Sequence, residues 1–144
     1  MNNIRQLLQS KGTGVWSTTP GTTVYDALKL MADKNIGALV VLEGERLAGI
    51  FSERDYARKV ILRGKTSREL SVSDIMTTDV VSVRPDQTIV DCMELMTNRR
   101  IRHLPVLDAG TVIGVISIGD VVKSIISAQK DTITHLEDYI TGRR

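Results

Sequence analysis

The chain has 144 residues, 42% hydrophobic and 25% charged, the proportions of a folded domain and not of a disordered chain. Nineteen Lys and Arg against 17 Asp and Glu leave a net charge of +2, too small a basic excess for a dedicated nucleic-acid binder. The single cysteine, Cys92, excludes an internal disulfide, and with two distant histidines it makes no Cys/His zinc site.

Ile4, Leu7 and Leu8 predict a short amphipathic N-terminal helix. An extended piece, Val15 to Thr18, ends at Pro20, which cannot donate to a strand ladder. Thr23 then reads as an N-cap with Asp26 as its box partner. Val24, Ala27, Leu28 and Met31 fall at i, i+3, i+4 and i+7, a helical face, and Asn35 suits its stop. Two strands follow, Ile36 to Leu42 and Leu47 to Phe51, joined by the turn at Glu43-Gly44-Glu45. A second helix starts at Ser52. Residues 64–79 read as a linker, polar at Gly64 to Ser67, with Ser73 capping a turn through Ile75 and Met76.

The same order then returns. Val80 to Val83 is extended and Pro85 ends it. Thr88 and Asp91 cap a helix whose apolar face is Ile89, Cys92, Met93 and Met96. Strands Ile101 to Leu107 and Val112 to Ile116 flank a turn at Asp108-Ala109-Gly110, and Ser117 opens another helix. A separate C-terminal helix is expected over about 129–141, with Ile133, Leu136, Tyr139 and Ile140 on one face and Gly142 and two arginines after it.

A shift of 65 residues overlays the chain on itself without a gap, with 15 identities in the 47 positions from 15–61 against 80–126. Two copies are too few for a solenoid. The expectation is an α+β module of two β-α-β-β-α motifs around a pseudo-twofold axis, motif one over about 15–63 and motif two over about 80–128. Each copy is too small to bury its faces alone, so the two are expected to share one core.

Each copy ends in Gly, two apolar residues, Ser, two variable residues and Asp: Gly49 to Asp55 and Gly114 to Asp120. Capping explains the pattern in its simplest form, with Ser as N-cap and Asp favourable in the first turn. A helix start after a strand also offers free N–H groups to an anion, and an Asp beside it can accept two hydrogen bonds from a ribose diol. Both roles can coexist.

This repeat, with Ile101-Arg102-His103-Leu104-Pro105-Val106 in its middle and Val72-Ser73-Asp74-Ile75-Met76-Thr77 before the second copy, resembles a pair of CBS motifs, the module named after cystathionine β-synthase. The resemblance covers about 15–126. It implies one compact module whose clefts bind adenine nucleotides or related adenosyl ligands such as AMP, ATP or NAD, regulating a protein target. It implies that each cleft mixes both motifs. One would take Ser52, Arg54 and Asp55 with Val83, Arg84, Ile101, Arg102 and His103. The other would take Ser117 and Asp120 with Thr18, Thr19, Ile36, Gly37 and Ala38. Asp55 and Asp120 match the ribose position, and the Ser and basic residues match the phosphate-facing ones.

The two copies differ where it matters for a phosphate. Arg102-His103 stands against Gly37-Ala38, and Arg54 against Gly119. Arg presents a planar donor fork, so the Asp55 cleft is expected to hold a phosphate better. Arg58 and Arg84 read as solvated surface charges, and Lys11 and the terminal arginines are the remaining cations for a ligand in the Asp120 cleft. Trp16 reads as a core or interface residue, Cys92 and Met31, Met93 and Met96 as core, and His135 as surface.

No Gly-rich phosphate loop, metal-ligand cluster or nucleophile–base string marks an enzyme, and no catalytic residue is assigned. Three non-enzymatic readings remain: an adenosyl-binding regulatory module, a dimeric interaction scaffold with vestigial clefts, and, against the charge and the five aromatics, an RNA or DNA binder. No apolar run approaches the ~20 residues of a membrane span, and Met1 to Gln6 lack the apolar core of a signal peptide, so the expectation is cytoplasmic. Helix faces bearing Val60, Ile61, Ile125 and Ile126 predict a homodimer, a disc of four motifs.

Overall fold

A computed structural model describes residues 3–12 and 14–141; Gly142 and the final arginines lie outside the described residues. In chain order the elements are α1 (Ile4–Lys11), β1 (Ser17–Thr18), α2 (Val24–Lys34), β2 (Ala38–Glu43), β3 (Arg46–Ser52), α3 (Glu53–Lys59), a 3-10 turn (Ile61–Arg63), α4 (Val72–Ile75), α5 (Ile89–Arg99), β4 (His103–Asp108), β5 (Thr111–Ser117) and α6 (Ile118–Thr141).

Local chemistry sets most of these boundaries. Thr23 Oγ accepts from the Asp26 N–H at 3.1 Å, and Thr88 and Asp91 close a reciprocal capping box. Helix α2 stops at Asn35, in the left-handed conformation with φ 55°. The matching stop of α5 is Arg100, also left-handed at φ 54°. In motif one, β1 pairs parallel to β2, and β2 pairs antiparallel to β3. In motif two, β4 and β5 form the hairpin, but the expected strand over 80–83 is reduced to one parallel bridge, Val83 to Val106. The register shifts at the same place in both hairpins, after Val41 and after Val106.

The interior differs from the single shared core expected. Two apolar clusters form, one per motif. Motif one packs Val24, Met31, Leu39, Val41, Phe51 and Val60 together with Val72 and Ile75 of α4. Motif two packs Val83, Ile89, Cys92, Met96, Leu104, Val106 and Ile116 together with Ile4 and Leu7 of α1. Each motif is therefore completed by a helix from outside the repeat, and in motif two that helix is the N-terminal one. The docking is the same twice. Val72 N–H donates to the Thr22 carbonyl and Ser73 N–H to that of Pro20; Ile4 N–H donates to the Gln87 carbonyl and Arg5 N–H to that of Pro85.

Three further expectations change. The C-terminal helix is not separate: α6 runs unbroken for 24 residues, whereas its counterpart α3 ends after 7. Val60 is buried in the motif-one core, so it contributes nothing to an exposed face. Met93 is exposed, while Met31 and Met96 are core as expected. Cys92 is buried, and that burial pushes its thiol up to about 11, so it is inert. Trp16 is exposed, with Lys34 Nζ 4.3 Å above its ring.

Candidate ligand clefts

The repeated glycine comes first, because it lets the completing helix approach. A Cβ on Gly49 would sit 2.7 Å from the Thr77 carbonyl oxygen and 2.9 Å from Met76 Sδ. A Cβ on Gly114 would sit 2.6 Å from Leu8 Cδ2. Three residues later the Ser–Asp pair caps the next helix. Asp55 Oδ2 accepts from the Ser52 N–H at 3.0 Å and the Ser52 hydroxyl at 3.1 Å, while the Asp55 N–H donates to Ser52 Oγ at 3.2 Å. Asp120 Oδ2 accepts from the Ser117 N–H at 2.9 Å, and the Asp120 N–H donates to Ser117 Oγ at 3.1 Å. The capping role is thus present in both copies. The N–H groups at each helix start are partly occupied, that of the Ser by the Asp carboxylate and that of the Asp by the Ser hydroxyl.

Asp55 lies in the wall of an open cleft of about 620 Å3. The cleft draws on both motifs, as the resemblance implied. Ser52, Arg54 and Asp55 come from motif one, and Ile101, Arg102 and His103 from motif two. The second oxygen of Asp55 is held from two sides: Oδ1 accepts from Thr77 Oγ at 3.2 Å and pairs with Lys59 Nζ at 3.1 Å. Lys59 also donates to the Ile75 carbonyl at 2.9 Å. Arg54 reaches across the motif boundary and donates from Nη1 to the Arg100 carbonyl at 2.9 Å. Arg58, Arg99 and Arg100 also line this cleft. Among the described residues, Arg58, Arg99, Arg100 and Arg102 have no ion-paired carboxylate.

His103 lines the same cleft but as a neutral ring. Burial lowers its pKa from the ordinary 6.5, the Lys11 charge adds to this, and Asp120 only partly opposes it. A Cβ on Gly37 would lie 3.3 Å from the ring's Cε1 and Nε2, so the imidazole is packed over that glycine.

At Asp120 the carboxylate is paired by a lysine from outside the repeat. Lys11, the last residue of α1, donates from Nζ to Asp120 Oδ2 at 2.8 Å and to the Val115 carbonyl at 2.6 Å. Burial pushes the Asp120 carboxyl up, but the Lys11 and Ser117 hydrogen bonds and the Lys11 charge outweigh it. The net pKa lies below the ordinary 3.8.

The remaining assignments need correction. Val83 is buried in the motif-two core, because its bridge to Val106 turns it toward the helices. Arg84 turns away to Asp86, at 3.2 Å, in the bend before α5. Val80 and Val81 take their place on the Asp55 side. Of the residues assigned to the Asp120 side, Gly37 lines the Asp55 cleft instead. Thr18 and Ala38 are buried, Ile36 packs on the motif-one core, and the Thr19 hydroxyl bonds that of Thr22 at 2.7 Å. The residues missed were Arg99 and Arg100, whose signal was their position beside Ile101-Arg102-His103, and Arg58, set aside as surface.

Comparison with known proteins agrees with the fold of two repeated motifs. The family model for the CBS domain matches twice, at residues 13–62 and 72–127. The CBS domain-containing protein CBSX3, mitochondrial, of Arabidopsis thaliana is 42% identical over 96% of this chain and 72% of its own length. A solved CBS-domain protein from Burkholderia ambifaria is 51% identical with a TM-score of 0.84, over 88% of this chain and 96% of that one. The CBS-CP12 protein of bloom-forming cyanobacteria, described as hexameric, is 29% identical with a TM-score of 0.73, over 83% of this chain and 69% of that one. No helix among the described residues is long and apolar enough to cross a membrane.

Proposed function

The chain belongs to the CBS-domain family, a family of regulatory and sensor modules, and from that premise we propose that its Asp55 cleft binds a phosphorylated adenosyl ligand such as AMP, ATP or NAD. The observation that carries the reading is the set of five arginines from both motifs lining one cleft, where they outnumber its three carboxylates, Glu53, Asp55 and Asp79. Among the described residues Arg102 and Arg58 have no ion-paired carboxylate, and Asp55 stands among them with Ser52. An anion between them gains charge-assisted bonds, each worth roughly 1.5–3 kcal/mol. Asp55 accepts the ribose hydroxyls in exchange for the Thr77 hydroxyl or Lys59. Because the cleft spans both motifs, a ligand there ties them together, and the changed geometry is what a target protein reads. The module acts as a homodimer, with Ile61, Leu62 and Ile126 among its exposed apolar residues.

Calorimetric titration of the Arg102→Ala variant with AMP and with adenosine tests the phosphate role. AMP is expected to weaken about tenfold or more and adenosine to change little. Equal losses for both ligands would remove Arg102 from the phosphate site.

A further inference from the structure

Helix α6 outruns the motif it belongs to. It has 24 residues, and only Val121 and Ser124 on it are buried. Among the described residues from Asp131 to Thr141 all but Asp138 are exposed, and an isolated helix end of this length is marginal in water without a partner. Its exposed apolar residues are not scattered. Val122, Ile126, Ile133, Leu136 and Ile140 are all exposed and fall at alternating spacings of four and three, with Gln129 as the one polar break. That is the seam of a short two-helix coiled coil. Beside it runs an apolar groove of about 490 Å3 between α5 and α6, lined by Val90, Ile125, Gln129 and Ile133.

The flanking charges identify the occupant. Lys130 and Glu137 each follow a seam position by one residue, on the same side of the helix. Seven residues apart, they stand about 10 Å from each other along the axis and cannot pair within the chain. The opposite flank carries Ile125, Thr132 and Tyr139, so a parallel second copy would offer them no opposite charge. An antiparallel copy brings Lys130 of each chain against Glu137 of the other. We infer that α6 pairs antiparallel with α6 of a second copy of this chain, with Ile133 of one copy beside Leu136 of the other and a twofold axis between them. The end of the partner helix, at Ile140, then lies beside Gln129 and covers the groove. This rests on the homodimer part of the functional reading and is independent of the ligand.

Sedimentation of the full chain at low salt tests it. The wild type is expected to be a dimer. Lys130→Glu and Glu137→Lys should each weaken dimerisation at least about tenfold, because each sets like charges together twice. An equimolar mixture of the two variants should recover wild-type association, since at positions 130 and 137 one copy then carries only acidic and the other only basic residues. Unchanged dimers in both single variants, or no recovery on mixing, would overturn the antiparallel seam and leave the homodimer standing. A monomeric wild type would overturn both. As a check on direction, the double variant Ile133→Cys/Leu136→Cys should cross-link far better than Ile133→Cys alone, with Cys92 buried and out of competition. Efficient cross-linking by Ile133→Cys alone would mean a parallel pair and contradict the proposal.

Discussion

The Asp55 and Asp120 clefts share one floor and differ in what stands over it. Both have the glycine that admits a completing helix, the Ser–Asp cap and the helix that follows. Over Asp55 the completing helix α4 ends at Ile75, and the chain turns away through Thr77, which holds the carboxylate from the side. Over Asp120 the completing helix α1 runs on to Lys11, which places an ammonium on the carboxylate itself. Both carboxylates are met by an ammonium of the chain itself, Asp55 by Lys59 and Asp120 by Lys11; what sets the Asp55 side apart is the arginines from both motifs and the open space beside it. The repeated residues build the same scaffold twice; the unrepeated ones make the two surroundings differ.

The contrast is sharpest at the two glycines. At Gly49 an added methyl meets the Thr77 backbone oxygen and Met76, while at Gly114 it meets the side chain of Leu8, which can turn aside. Gly49→Ala should therefore cost about 3 kcal/mol and Gly114→Ala about 1 kcal/mol in urea unfolding. Equal costs would mean that α1 holds its cleft as rigidly as the linker holds the other. A smaller effect separates the cations. Lys11→Ala should lose only about 0.5–1 kcal/mol at pH 7, because Lys11 is partly exposed. The Asp120 pKa is depressed in the fold, so this contribution is fully present above the ordinary 3.8 and fades as pH falls through the lowered value. The stability gap between wild type and Lys11→Ala should accordingly close below about pH 4. A gap that persists undiminished in acid would show that Lys11 acts through its Val115 hydrogen bond and packing, not through Asp120.

Much of this was readable from the residues, and the failures have physical causes. Thr88, Asp91, Ser52 and Asp55 are local signals, because a cap is made within four residues, and they stood where expected. Arg102 and His103 were visible as polar residues at the start of an apolar strand. The partner of α1 was not visible. Asn3 bridges Thr88 as Ser71 bridges Thr23, so α1 and α4 correspond at a shift of 71 − 3 = 68, three residues off the 65 that aligns the motifs. That offset hid α1 from an ungapped overlay, and its packing on the distant motif two carries no local signal. Val83 and Arg84 were misplaced for a related reason. In an extended segment the face a residue shows depends on its register, and here one bridge to Val106 sets it. The continuity of α6 was missed because the helical pattern was divided at the end of the repeat, where nothing in the residues breaks it.

The central proposal is that the Asp55 cleft takes the ligand while Lys11 occupies the Asp120 carboxylate. The most direct test is calorimetric titration of AMP into wild type, Asp55→Asn and Asp120→Asn, since the amide keeps an oxygen acceptor for each cap. The account predicts one tight site per chain in wild type, retained in Asp120→Asn and lost in Asp55→Asn. Tight binding that survives Asp55→Asn and disappears in Asp120→Asn would contradict it.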